Sequence, residues 1–380
     1  MTIELVLAGI AGAWVLAYLV FTYVFKWKTT NISLYPLFLI IRSRGVAGPL
    51  DRIAGLAPRL WDAVSRAATV VGVGLAAFAI YILSSNLATY ILRPETVGPQ
   101  NIVIPLIIGV TIRIEQIPYL LIAFGVVLLT HEGLHGIIAR REGLPVKSAG
   151  IFLIFILPGG FVEPDEETFK KSPPGARMRV AAVGSFANLT VGFLVVLTMY
   201  GLFSPYEAGL FVVQTEEYSR IPVNEVVVSI DGLPVNSQTA RGVNITLGET
   251  VTVSGVLNTY TFQIRPEAVG MSLPLGALIR SLGVTQVDSY VPLRWGVGEP
   301  ATVYNFYKSL FCLELVSLGV AVFNMLPIQM LDGNIMLRAF LERHNVKRVA
   351  EASTIATAAC LLLLASNIFM TYRFFGFFQL

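Results

Sequence analysis

The chain has 380 residues, a hydrophobic content of 55% and a charged content of only 13%, with a mean hydropathy of +0.70. These values exclude an ordinary soluble protein, since several apolar runs exceed the roughly 20 helical residues that cross a hydrocarbon core. The net charge of +3 fits orientation in a lipid bilayer and gives no reason to expect nucleic acid as a partner.

Glu4–Phe25 reads as the first span, closed by Lys26 and Lys28. No basic residue precedes it and the apolar run is long, so it reads as a retained span, not a signal peptide. Thr29–Arg66 carries five arginines, Arg42, Arg44, Arg52, Arg59 and Arg66. Its apolar part, Leu34–Ile41, is too short to cross and suits the interface. Ala67–Leu92 is the second span. Ile102–Ile112, rich in Val and Ile but broken by Pro105 and Gly109, reads as extended or re-entrant chain. It leads into the third span, Tyr119–Ala139.

Gly150–Pro164 is apolar, is broken at Pro158-Gly159-Gly160 and turns acidic at Glu163, Asp165, Glu166 and Glu167. It is too short for a span and implies a re-entrant hairpin, which is tolerable at that depth only beside protein or a water-filled cavity. Met178–Phe203 is the fourth span, and Gly184–Asn188 within it combines small residues with one amide that needs a bundle partner. Ser204–Pro300 is the one sizeable soluble piece. Strand-like Val223–Ile230 is followed by Asp231-Gly232, and Thr250–Val256 and Thr259–Ile264 meet at Asn258, so this domain reads as β-rich. Tyr304–Leu326 is the fifth span, a short basic loop carries Arg338, Arg343, Lys347 and Arg348, and Ala350–Tyr372 is the sixth. The aromatic tail Phe374–Phe378 suits an interface. Cys312 and Cys360 sit in apolar runs without Cys-x-x-Cys spacing and read as packed hydrophobes.

The fold class is therefore an α-helical integral membrane protein of about six transmembrane helices, with a small β-rich domain and re-entrant β-hairpin segments. It divides into 1–92, two N-terminal helices with their loop; 93–203, the first part of the membrane core; and 204–300, the β-rich domain. The second part of the core is 301–337, and 338–380 holds a loop and the last helix. The basic segments Lys26–Arg66, Arg140–Arg179 and Arg338–Arg348 are cytoplasmic by the positive-inside rule. Both termini and the β-rich domain then lie outside a multi-pass cell-membrane protein.

The third span ends in Thr130-His131-Glu132-Gly133-Leu134-His135. Histidines four apart project from one helical face and can hold one zinc ion, with Glu132 placed to take a proton from a zinc-acidified water. Ionisable groups in a span default to function. His344, in the polar stretch Glu342–Arg348, reads as a solvated loop residue. Catalytic zinc takes three protein ligands, and Asp332 is the third candidate because it arrives at the same depth after the helix-breaking Pro327. Glu314 is the competing acid, but it lies roughly 27 Å from Asp332 along a continuous helix and reads as a path-lining or buried structural residue. A divalent-metal transporter could also place His and Asp in a bundle, and a catalytically silent scaffold could keep the fold. Glu132 distinguishes a hydrolase from both.

His131-Glu132-Gly133-Leu134-His135 together with Asn324-x-x-Pro327-x-x-x-x-Asp332-Gly333 resembles the site-2 protease family of intramembrane zinc metalloproteases. The resemblance runs from about Tyr119 to Arg338 and includes the soluble insert. It implies zinc on His131, His135 and Asp332, Glu132 as general base, and Asn188 and Asn324 supporting the substrate strand or the oxyanion. Gly184 and Asn188 resemble a family motif in which Pro is usual where Ser185 stands. Val223–Val235 is similar to a strand-turn segment of PDZ-like modules, although no Gly-Leu-Gly-Phe-like carboxylate loop accompanies it. Gly150–Val162 is similar to segments that clamp an extended substrate. The implied partner is a single-span transmembrane protein, such as an anti-sigma factor or another membrane-tethered regulator, cut near its cytoplasmic end within the bilayer.

Overall fold

The computed structural model describes residues 3–24, 31–104, 111–155, 157–296 and 298–376. It divides into two compact units, Met1–Phe193 with Cys312–Leu380, and Leu194–Phe311. In the first unit, helix α1 (Ile3–Leu19) continues as a π-helical turn, Val20–Val24. Lys26 and Lys28, expected to close this segment, lie outside the described residues, as does most of the stretch expected to be extended around Pro105 and Gly109. Strands β1 (Ile32–Tyr35) and β2 (Phe38–Ser43) follow, where the sequence suggested only an interfacial segment. Two short helical steps come next, α2 (Ala47–Leu56) and the start of α3 (Pro58–Leu92). Helix α4 (Ile117–Arg141) has a proline in its first turn and both arginines, Arg140 and Arg141, in its last, where the cations favour the negative end of the helix dipole.

Strands β3 (Val146–Ile154) and β4 (Leu157–Pro164) form the hairpin expected over Gly150–Pro164. They extend the β1–β2 pair into a four-stranded antiparallel sheet in the order β1-β2-β3-β4. Hairpin and sheet leave β4 as an edge strand, and it packs on α4. After α5 (Glu166–Lys171), helix α6 (Pro174–Leu202) returns through the bundle. The core that joins these helices sets alanines, including Ala68, Ala139, Ala181, Ala182 and Ala339, among larger apolar residues such as Ile138, Val183 and Met325, and the alanines let helix backbones approach closely.

The second unit is built on a six-stranded antiparallel sheet. Its path is β10-β9-β6-β5-β12, with β7 paired to β6. The strands are β5 (Gly209–Thr215), β6 (Val226–Ile230), β7 (Leu233–Pro234), β9 (Thr250–Gly255), β10 (Thr259–Gln263) and β12 (Val284–Tyr290), while β8 (Asn244–Thr246) and β11 (Ser272–Pro274) pair separately. Two short helices, α7 (Thr239–Gly242) and α8 (Leu275–Ser281), sit beside the sheet. Alternation along β9 buries Val251 and Val253, in a core with Val212, Val227, Ile230 and Leu275. Glu225 is fully buried there, but its carboxylate accepts from Leu257 N at 2.9 Å, Asn258 N at 3.2 Å and the Tyr260 hydroxyl at 2.8 Å.

Helix α9 (Pro300–Phe323) leads back into the first unit. Asn324–Leu331 leaves the helical path, and α10 (Asp332–Arg343) takes up Arg338–Arg343, the first part of the expected basic loop. Met336 and Ala339 are buried on α10, and burial of that face is what turns the polar stretch into a helix. Helix α11 (Val349–Phe375) packs against α3 and α10. A buried amide network ties it to α3: Asn367 Nδ2 donates to Leu83 O at 3.0 Å, Asn86 Nδ2 to Asn367 Oδ1 at 2.9 Å, and Asn101 Nδ2 to Asn86 Oδ1 at 2.7 Å.

Five described helical segments are long and apolar enough to cross a membrane: Pro58–Leu92, Ile114–Arg141, Pro174–Leu202, Pro300–Phe323 and Val349–Phe375. The chain is a multi-pass membrane protein by that measure. Ala11–Val24, within the expected first span, is a shorter apolar helix.

Candidate metal centre

Three elements converge in the first unit. Helix α4 presents His131 and His135 from successive turns, α10 begins with Asp332, and α6 covers both imidazoles. His135 Nε2 lies 3.1 Å from His131 Nε2 and 3.1 Å from Asp332 Oδ2, and His131 Nε2 is 3.3 Å from the same oxygen. Zinc bonds of about 2.0–2.1 Å at tetrahedral angles put ligand atoms roughly 3.3 Å apart. The three donor atoms therefore already stand at the mutual spacing of one zinc site, and all lie within 4.8 Å of one another.

The rest of each ring is held. His135 Nδ1 is 2.6 Å from Val180 O; a carbonyl only accepts, so Nδ1 carries the proton and Nε2 turns its lone pair to the cluster. His131 Nδ1 is 3.0 Å from the Asn188 amide, and Asn188 is fully buried, with Oδ1 left without a partner as drawn. With its amide O and N exchanged, Oδ1 accepts from His131 Nδ1–H and leaves Nε2 free as a ligand. Asn324 donates from Nδ2 to Asp332 Oδ2 at 2.7 Å and stands 3.2 Å from His131 Nε2. The site thus has two imidazoles and a carboxylate facing one point, which fits a zinc ligand set.

Two glycines make this approach possible. A Cβ on Gly184 would stand 2.4 Å from His135 Nε2 and 2.6 Å from His131 Nε2, so only glycine lets α6 lie over the imidazoles. A Cβ on Gly333 would meet Met325 O at 2.1 Å, and its N–H donates to Asn324 O at 2.9 Å. Helix α11 braces the turn before Asp332. Thr357 Oγ1 donates to Pro327 O at 3.1 Å and accepts from Gln329 N at 3.0 Å, and Asn334 Nδ2 donates to Ser353 Oγ at 2.9 Å. Nothing in the residue types of α11 alone signalled that role.

Glu132 accepts from Val162 N, on the β4 edge, at 2.9 Å. It lines a cavity of about 870 Å³ with His131, His135, Asn324 and Asp332, and with apolar walls that include Phe124, Phe161 and Phe323. Asn188 lies behind His131, outside that lining. Glu314 does not line it either, and His344 is exposed at the end of α10.

The fold and this centre define a class: a multi-pass membrane protein with three donors that could hold a metal ion and a carboxylate beside them, opening on a cavity with apolar walls. Residues 119–365 match peptidase family M50. The chain belongs to that family, the site-2 protease family. It is 33% identical over 128 residues to an uncharacterized protein of Methanocaldococcus jannaschii, covering 32% of this chain and 34% of that one. It is 25% identical over 135 residues to a membrane-bound transcription factor site-2 protease homolog of Arabidopsis thaliana, covering 33% of this chain and 26% of that one. The matched region thus spans about a third and about a quarter of the length of these curated relatives.

Proposed function

We propose that this chain is an intramembrane zinc metalloendopeptidase that hydrolyses a peptide bond within a transmembrane segment of another protein. The observation that carries the reading is the convergence of His131, His135 and Asp332 at zinc-ligand spacing, beside Glu132 in a cavity. Those three side chains would hold zinc, which when bound supplies Lewis acidity toward a carbonyl and acidifies water. Glu132 takes the proton of the attacking water and passes it to the leaving amine. Asn324, on the cavity wall, is the amide suited to stabilise developing oxyanion charge. Asn188 is read here as positioning His131, because its amide lies on the ring nitrogen away from the ligand cluster.

The substrate helix must unwind locally, since helical hydrogen bonds shield its carbonyls. The free edge of β4 offers backbone partners to such an unwound strand, and its Val162 N–H is already engaged by Glu132. Strand addition there would bring the scissile bond beside the base. On this reading α1 is a sixth span, the second unit is a PDZ-like extracytoplasmic module that filters or docks substrates, and the metal centre lies near the cytoplasmic side. The substrate class is a single-span membrane-tethered regulator released by cleavage.

The test is cleavage of a tagged single-span substrate in liposomes by wild type and Glu132→Gln, with zinc measured on both. Wild type should cut, the variant should not, and both should keep zinc. Cleavage by Glu132→Gln, or a wild type that binds no zinc, refutes the reading. Metal transport preserved in Glu132→Gln would support a transporter instead.

A further inference from the structure

Around α2 and the ends of α4 and α6, several basic side chains of the first unit are held by carboxylates. Arg140 pairs with Asp51, Arg141 with Asp62, Arg179 with Glu142, Arg177 with Glu342 and Lys147 with Asp165. Arg44, Arg52 and Arg59 are exposed and, among the described residues, have no carboxylate partner. These three flank or occupy α2 and the first turn of α3. Helix α2 turns Leu50 and Ala54 inward: Ala54 is buried, and a Cβ on Gly136 would meet the Leu50 methyls at 3.0 Å. Its opposite face carries Arg52 and Leu56, four residues apart, and Leu56 is 75% exposed. Leu60, in the first turn of α3 beyond the break at Ala57, is 55% exposed.

A short helix with an outward apolar strip fringed by unpaired arginines matches one kind of surface, anionic in its outer layer and apolar beneath. We propose that α2 and the start of α3 dock anionic phospholipid headgroups, with Arg44, Arg52 and Arg59 on the phosphates and Leu56 and Leu60 among the acyl chains. Guanidinium groups bind phosphate oxygens bidentately. Charge complementarity selects this occupant, because Arg140, Arg141 and Arg179 nearby are neutralised by protein carboxylates while Arg44, Arg52 and Arg59 are free for an external anion. The apolar strip between them favours a lipid over a soluble acidic partner. The surface is also keyed to the metal-bearing helix. Asp51, beside Arg52, takes Arg140 of α4 at 2.5 and 2.8 Å, and Leu50 packs on Gly136, the residue after His135.

The experiment uses the full chain in phosphatidylcholine vesicles carrying spin-labelled phosphatidylglycerol or spin-labelled phosphatidylcholine, and reads the ratio of the two lipids immobilised on the protein. Wild type should favour phosphatidylglycerol, and the preference should weaken from about 0.1 M to about 1 M salt as the screening length shortens. The triple variant R44Q/R52Q/R59Q should lose about fivefold or more of that preference, given the attraction of each basic residue to an anionic surface. R44K/R52K/R59K should keep most of it, and a general loss of fold would lower both lipids together instead of their ratio. A wild type without preference, or a glutamine triple that keeps it, overturns the proposal. So does a wild type that binds soluble oligoglutamate at this face but shows no headgroup preference.

Discussion

Gly184→Ala tests the geometry of the metal centre most directly. The added Cβ would sit 2.4 Å from His135 Nε2 and 2.6 Å from His131 Nε2, where an ordinary contact needs about 3.4 Å or more. Helix or imidazoles must therefore yield by close to 1 Å, whereas ligand distances tolerate only about 0.2 Å. Overpacking of this kind costs about 1–3 kcal/mol of stability, and a misplaced ligand set lowers metal affinity by about 10- to 100-fold. The assay is zinc stoichiometry and affinity by competition with a chelator, alongside thermal stability. Gly192→Ala is the matched control: on the same helix, its Cβ would meet the flexible Leu318 side chain at 2.4 Å, far from any donor atom. The control should lose stability but hold zinc as wild type does. A Gly184→Ala protein with wild-type zinc affinity would refute the claim that α6 is seated on the imidazoles.

Three further outcomes follow from packing and charge. Glu225→Ala removes the acceptor of the buried Val226 N and of the part-buried Leu257 N, Asn258 N and Tyr260 hydroxyl and should cost about 1–3 kcal/mol, seen as faster hydrogen exchange across Gly255–Tyr260 with zinc content unchanged. Asn367→Ala removes donors to Leu83 and Leu363 and should lower unfolding stability by about 1–2 kcal/mol, again without zinc loss; no measurable change would show that the α3–α11 network is not stabilising. Asp165 is held below its ordinary value of 3.8 first by Lys147 and then by Thr168, whose N–H it caps. A carboxyl lowered on folding stabilises above its unfolded value and loses that contribution as pH falls through its folded value. The stability difference between wild type and Asp165→Asn should thus be constant near neutrality and vanish only below about pH 4; a difference that vanishes near neutrality would contradict it.

Much of the centre was legible in sequence because the relevant signals are local. Histidines four apart share a helical face whatever surrounds them, and a 25-residue apolar helix ending in Arg140 and Arg141 announces its own length and exit. The hairpin over Gly150–Pro164 was legible for the same reason: proline and glycine break an apolar run too short to cross. Asp332 was read from its depth after the helix-breaking Pro327, and Asn324 from the family resemblance. Less visible was what lies far away in sequence. The register that adds β1 and β2 to the hairpin, the brace of Thr357 and Ser353 on the turn before Asp332, and the conversion of the first part of a basic loop into α10 all depend on distant partners.

Sequence by itself determined the membrane class, the His131–Glu132–His135 face and the candidate third ligand, because hydropathy, helical period and residue chemistry act over a few turns. Tertiary structure decided which atoms meet. It set the two Nε2 atoms and the Asp332 oxygen 3.1–3.3 Å apart, put Asn188 behind His131, and tied Glu132 to a strand edge through a backbone N–H. Those outcomes come from close packing of helices across glycine and alanine, and ångström-scale packing is a property of the whole bundle that no single segment encodes.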